Sequence, residues 1–181
     1  MIVSDIELYD GNLIHGRFAY KFFRNKTLPI GNILAFRAPM LVEAEGMIDN
    51  EDLLNNDFIY SDSAINFVWE IPGLNSFNIL STQYLNAPIE VAGDDLMVHK
   101  EFEQHGIIQA RGKCSVSITY SKDNVAIGHT AINIVAGKRA PAFAYSTHLT
   151  EDQQQGFMKD VIDAFYAMND DMFIATTKLT L

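Results

Sequence analysis

The chain has 181 residues, 48% of them apolar, and a formal net charge of -10. That apolar content suffices for a real core and excludes global disorder, and the length fits one domain spanning residues 1–181. So acidic a chain repels a phosphate backbone, which argues against a nucleic-acid partner.

The densest basic group, Arg17, Lys21, Arg24 and Lys26, reads as the solvated face of a first helix. A single cysteine, Cys114, leaves no intramolecular disulfide, so a reducing cytosol is the expected compartment. Met1 to Asp5 lacks the basic region and apolar run of a signal peptide. No apolar run approaches the roughly 20 residues of a membrane-spanning helix, so no membrane partner is expected and the location should be cytoplasmic.

In chain order, Ile2 to Tyr9 reads as a strand closed by the turn signal Asp10-Gly11. Asn12 is placed to cap a helix, and the recurrence of Leu13, Phe18, Phe22 and Phe23 predicts an amphipathic one from about His15 to Phe23. Ile33 to Phe36 is a compact apolar run, a buried strand that delivers Arg37 at its end, before Ala38-Pro39. An arginine so placed could clamp a carboxylate or phosphate with its planar fork, or form a structural ion pair with a nearby acid. Asp49-x-Glu51-Asp52 lacks the glycine and terminal glutamate of a calcium loop; Asp49 or Asn50 capping a short helix through Leu54 accounts for it.

Ser63 to Ile71 predicts a strand buried on both faces, with Trp69 in the core and Asp62 and Asn66 on one face. Phe77 to Leu85 suits a helix, Gly93-Asp94-Asp95 a turn, Leu96 to Val98 a short strand, and Glu101 to Gly106 a polar loop. Apolar character resumes at Ile107 to Ala110. Two strands come next, Gly112 to Tyr120 and Val125 to Val135, joined by a tight turn at Asp123-Asn124. Gly137 to Pro141 is a loop and Ala142 to Tyr145 an edge strand. Thr150-x-x-Gln153 matches a capping box ahead of a helix with Phe157, Val161, Ile162, Phe165 and Met168 as its apolar stripe. Met172 to Leu181 begins helical and ends as a strand. Strands and helices without regular βαβ alternation predict an α+β fold, a mixed and largely antiparallel sheet flanked by helices.

Three chemistries fail on the residues. Gly106-x5-Gly112-Lys113-Cys114 has one residue too many for a phosphate loop, a cysteine in place of the hydroxyl, and a strand where a helix must follow. Cys114 lies on the apolar face of its strand, which disfavours a thiolate nucleophile. His99 and His105 lack the partners of a zinc site, so no metal is expected.

The hairpin is the remaining candidate. A three-residue loop, Lys122-Asp123-Asn124, sets Lys113 across from Asn133 and Ser117 across from His129, all on one face. A two-residue loop shifts the register by one and places His129 and Asn133 with Cys114 and Ile118. The first register groups polar with polar and is preferred. In it Lys113 can neutralise an anion, while Ser117, His129 and Asn133 can hydrogen-bond a ligand.

Gly93-Asp94-Asp95-Leu96, Gly112-Lys113-Cys114-Ser115-Val116-Ser117-Ile118 and Ala126-Ile127-Gly128-His129-Thr130-Ala131-Ile132-Asn133-Ile134, in this order, resemble an archaeal and bacterial domain-of-unknown-function family of the DUF366 type. Asp10-Gly11, Ala35-Phe36-Arg37-Ala38-Pro39, Met47-Ile48-Asp49-x-Glu51-Asp52 and Thr177-Lys178-Leu179 resemble it too, so the likeness spans the chain. That family in turn is similar to the biotin and lipoate protein ligases and octanoyltransferases, whose fold is class II synthetase-like. The resemblance implies that Lys113 is the essential catalytic lysine, which in ligases steadies charge as an acyl-adenylate forms from a carboxylate and ATP. It also implies that Asp94-Asp95 is the acidic turn and that Gly128 to Asn133 is the asparagine strand.

Departures count against part of this. No glycine-rich loop follows Arg37, Asp62 and Asn66 only echo the histidine-aspartate-x-glycine-asparagine strand, and no cysteine follows the asparagine strand. Use of ATP and thioester transfer by a cysteine are both weakened. Two functions remain. One is an enzyme or degenerate enzyme binding a small carboxylate or acyl ligand, with Lys113, Arg37 and Asp62 converging in a pocket. The other is a non-catalytic ligand-binding or self-associating protein, a homo-oligomer that kept the fold and lost the nucleotide loop.

Overall fold

The computed structural model describes residues 1–4, 6–15, 18–23, 31–72, 99–104, 107–122 and 125–176. The chain folds around a five-stranded sheet made of β1 (Ile2–Val3), β2 (Asn32–Val42), β3 (Ile59–Pro72), β6 (Ser115–Lys122) and β7 (Val125–Val135). Their spatial order is β1-β2-β3-β7-β6; β1 runs parallel to β2 and every other pair is antiparallel. A second, two-stranded sheet pairs β4 (His99–Gln104) with β5 (Ile107–Arg111). Among the described residues the helices are α1 (Asn12–His15), α2 (Phe18–Phe23), α3 (Asn50–Asn55) and α4 (Glu151–Thr176), with a 3-10 turn at Ala44–Gly46. This is the α+β architecture expected.

The central strands are apolar on both faces because both are covered. Leu34, Phe36, Ala64, Val68, Ile127 and Ala131 pack on one side with Tyr9, Ile14 and Ala19. Ile33, Ala35, Ile65, Phe67, Trp69, Ala126 and Ile132 pack on the other with Met158 and Phe165 of α4. Strand alternation assigns successive residues to opposite cores, which is why β2, β3 and β7 read as continuous apolar runs. Helix α4 begins with the expected capping box: the Thr150 amide donates to Gln153 Oε1 at 2.9 Å and the Gln153 amide to Thr150 Oγ1 at 3.4 Å. Its apolar stripe, Phe157, Val161, Ile162, Phe165 and Met168, lies on the second core. Asp49 caps α3, its Oδ1 accepting from the Glu51 amide at 2.8 Å.

Several elements differ from expectation. The first strand stops at Val3; Tyr9 makes only a bridge to Met40, its amide donating to the Pro39 carbonyl. Helical residues begin at Asn12, and the carboxylate of Asp10, not Asn12, accepts from the Asn12 amide at 2.9 Å. Arg37 lies in the middle of β2, not at its end. A register shift between Ala38 and Met40 lets the strand absorb Pro39, which has no N–H to give the ladder. Residues 101–104 belong to β4 and are not a loop, since pairing with β5 outweighs their polar composition. Ala142 to Tyr145 is a turn, with a lone bridge from Ala144 to Lys113. The helix at Phe77 to Leu85, the turn with Asp94 and Asp95, the strand at Leu96 to Val98 and the final strand after Thr176 all lie outside the described residues.

Candidate functional site

The β6–β7 register decides which side chains meet. Lys122 pairs with Val125, Ile118 with His129 and Ser117 with Thr130, which leaves two residues in the turn. The preferred three-residue loop is therefore wrong. His129 sits on the face of Val116, Ile118 and Tyr120, not with the hydroxyl row. Grouping polar with polar misled because His129 finds its polar partner on the other neighbouring strand. Asn66 of β3 is fully buried, and its Oδ1 lies 3.0 Å from His129 Nε2. Its Nδ2 donates to the carbonyls of Ala38 and Ala64, both at 3.3 Å. The imidazole stacks on Tyr9, ring centroids 3.8 Å apart and planes 14° apart. Burial pushes the His129 pKa down to about 3, so the ring is neutral. Burial likewise raises the Tyr9 phenol above its ordinary range.

His129 and Tyr9 border a cavity of about 200 Å³ between the β6–β7 pair and the segment that carries the 3-10 turn and α3. Its walls are mixed: Ile14, Val42, Met47, Ile48, Ile59 and Ile118 supply apolar surface and about as much is polar; Ser117 also borders it. Asp49, Asp52 and Lys113 supply its charge. A second cavity of about 410 Å³ shares Asp52, Ile59, Lys113 and Val116 with the first and reaches Asn133, Tyr60 and Phe143. Lys113 therefore borders both. Its backbone is pinned by the turn at 143–145: its amide donates to the Phe143 carbonyl at 2.7 Å, and its carbonyl accepts from the Tyr145 amide at 2.8 Å. Its side chain is exposed, so the lysine stands at the rim and not inside. Among the described residues its ammonium has no ion pair or hydrogen bond. Asp52 is half-buried. Burial and the charges of Asp49 and Asp57 raise its pKa, and Lys113 opposes that rise.

Arg37 and Asp62 do not join this site. Arg37 points to the α4 side, where its Nη1 lies 3.3 Å from Gln154 Oε1 and 3.5 Å from Glu151 Oε1. It borders a separate cavity of about 420 Å³ there, with Glu151, Gln154 and Gln155. Asp62 is exposed and accepts from the Tyr60 hydroxyl at 2.6 Å. It does not share a face with Asn66, because Ile59 and Ala64, of opposite parity, pack in the same core and the alternation breaks between them. The convergence of Lys113, Arg37 and Asp62 is thus corrected to Lys113, Asp52 and His129. Asp94 and Asp95 lie outside the described residues. Tyr9 and Asp52 were missed as site residues. Asp52 was visible as part of an acidic run, whereas nothing local marks Tyr9. Among the described residues no group of three or more His, Cys, Asp or Glu is placed to hold a metal ion, and no helix is long and apolar enough to cross a membrane.

An open sheet of this order, flanked by helices, is the biotin/lipoate protein ligase-like fold. The sequence matches the model of the family described as Domain of unknown function (DUF366) over residues 1–180, and the chain belongs to that family. A protein of unknown function from Pyrococcus horikoshi is similar in structure, with TM-score 0.72, 20% identity, and coverage of 100% of this chain and 97% of that one. LipL1 of P. falciparum, solved in complex with lipoate, is similar with TM-score 0.51 and 13% identity. That match covers 93% of this chain but only 60% of LipL1. No curated protein matches the sequence.

Proposed function

We propose that this protein binds a small carboxylate or acyl ligand in the cavity between Tyr9, His129 and Lys113, with Lys113 as the charge anchor. The observation that carries this reading is Lys113, which borders both neighbouring cavities and whose ammonium has no ion pair among the described residues. A cation beside a hollow of mixed apolar and polar walls suits an amphipathic anion: the apolar side chains shed water from its body while the amine meets its charge. The volume of about 200 Å³ lies below the roughly 300–1,000 Å³ of drug-sized sites, so the guest is small. The shared fold with LipL1, whose structure holds lipoate, supports the same class of ligand.

Binding is proposed here, not adenylation. The residues after Arg37 form strand β2 instead of a glycine-rich loop, and Arg37 itself is turned to the opposite face. The test is a thermal-shift and titration screen with straight-chain acids, biotin, lipoate and ATP on wild type and Lys113→Ala. An acid is expected to raise the melting temperature of wild type and to bind about three- to ten-fold more weakly to Lys113→Ala, the modest loss fitting a rim-exposed charge. No stabilisation by any acid, or equal affinity for both proteins, overturns the reading.

A further inference from the structure

The hydrogen bonds around Asn66 fix more than a contact. Both hydrogens of its amide are committed to the carbonyls of Ala38 and Ala64, so its Oδ1 is the atom turned to His129. A carbonyl oxygen only accepts. His129 Nε2 must therefore carry the hydrogen and donate it. The ring is neutral, so Nδ1 holds a bare lone pair on the opposite edge of the imidazole. Among the described residues nothing donates to that lone pair. His129 borders a cavity, and among the described residues its Nδ1 is not one of the enclosed side-chain atoms that lack a partner. The open space beside His129 is the cavity of about 200 Å³.

We propose that His129 is the specificity residue at the inner end of this cavity, its Nδ1 accepting a hydrogen bond from a neutral O–H or N–H group of the ligand. The inference rests on the carboxylate reading above and deepens it. The guest is a small acid or acyl compound that carries a hydrogen-bond donor at the end remote from its anionic group. The two ends of the site also set its orientation. A carboxylate turned inward would put its lone pairs against that of Nδ1, whereas turned outward it meets Lys113. Tyr9, stacked on the imidazole, keeps the ring in the plane that this requires.

The test uses six-, eight- and ten-carbon straight-chain acids and their ω-hydroxy counterparts, titrated into wild type and His129→Phe, which keeps a ring against Tyr9 but has no acceptor. The readout is the ratio of the two Kd values within each protein, so a general loss of affinity cancels. In wild type the hydroxy acid of at least one length should bind about three- to ten-fold tighter than its parent, the worth of one hydrogen bond. In His129→Phe the preference should vanish or reverse. If both kinds of acid bind and the ratio is the same in the two proteins, the assignment of His129 falls while the carboxylate reading stands. If no acid binds, the carboxylate reading falls and this inference with it. Nitrogen-15 spectra of the wild-type imidazole give a second measure, independent of the variant's folding. A ring protonated on Nε2 alone and not titrating between about pH 5 and 8 is expected; a proton on Nδ1 overturns the proposal.

Discussion

Gly128 faces Trp69 across the β3–β7 pairing, and the indole fills the space in which a side chain at position 128 would begin. A β-carbon there would lie inside contact distance of the indole ring. The ring is rigid and 1% exposed, so it cannot swing aside without opening the second core. Gly128→Ala should therefore destabilise the fold by about 3 kcal/mol, at the upper end of overpacking effects. Trp69 is the only tryptophan, so its fluorescence reports the displacement directly. An unchanged unfolding midpoint together with unchanged emission would contradict this packing.

Asp52 and Lys113 act on an anionic guest with opposite signs. Asp52 is held among Asp49 and Asp57 and pushed toward its neutral form, and it shares both cavities with the lysine. Asp52→Asn removes a like charge from beside the ligand's acid group. Acid binding should tighten about two- to five-fold, and more at low salt than at high salt, because screening weakens such pairs. Weaker binding in this variant would show that the carboxylate holds the guest instead of repelling it.

His129 makes stability depend on pH. Its folded pKa of about 3 lies below the ordinary imidazole value of about 6.5. Above that value both states are neutral and the group contributes no slope. As pH falls below it, the unfolded chain takes up a proton that the folded chain refuses. Stability is then lost by about 1.4 kcal/mol per unit until the folded pKa is reached. Urea midpoints of wild type and His129→Phe, compared at pH 7, 6 and 5, should converge on acidification. A gap that stays constant would mean that the ring is not held neutral.

Arg37 should be dispensable for the ligand. Its partners Gln154 and Glu151 lie on α4, and the Arg37 and Glu151 side chains are 42% and 85% exposed. An exposed pair of this kind contributes less than about 1 kcal/mol. Arg37→Ala is expected to leave acid affinity within about two-fold of wild type, as measured by the same titration. A large loss would return the arginine to the site.

The capping box of α4 is a local feature with a local energy. Thr150→Ala removes the hydroxyl that accepts from the Gln153 amide and should cost about 1 kcal/mol. In a chain of this size that lowers the thermal midpoint by roughly 2–4 °C. A midpoint within error of wild type would make the box ornamental.

Local signals were legible. The buried runs of β2, β3 and β7, the Asp49 cap of α3 and the capping box of α4 follow from short-range pattern, and the structure carries each of them. The site was legible only in part, because its geometry depends on long-range pairings. Lys113 was legible on the polar row of the hairpin, with its ligase-like role coming from resemblance, and its place beside two cavities depends on a turn some 30 residues downstream. His129 was found as a polar residue on a strand, yet its face was misjudged. Its partner Asn66 is 63 positions away, and a buried polar pair leaves no periodicity behind. Arg37 falls at the end of the apolar run Ile33 to Phe36, before Ala38-Pro39, whereas the strand steps around the proline and continues. Breaks in alternation of this kind turn side chains to the other face, and composition does not announce them.

Asn66 sits where two demands intersect. Its amide hydrogens go to the carbonyls of the paired Ala38 and Ala64, next to the step at Pro39, and its oxygen orients the ring at the cavity floor. A substitution that let the imidazole rotate would also take a donor from two backbone carbonyls in the interior. The chemistry of the hollow is thereby tied to the continuity of the sheet through one amide.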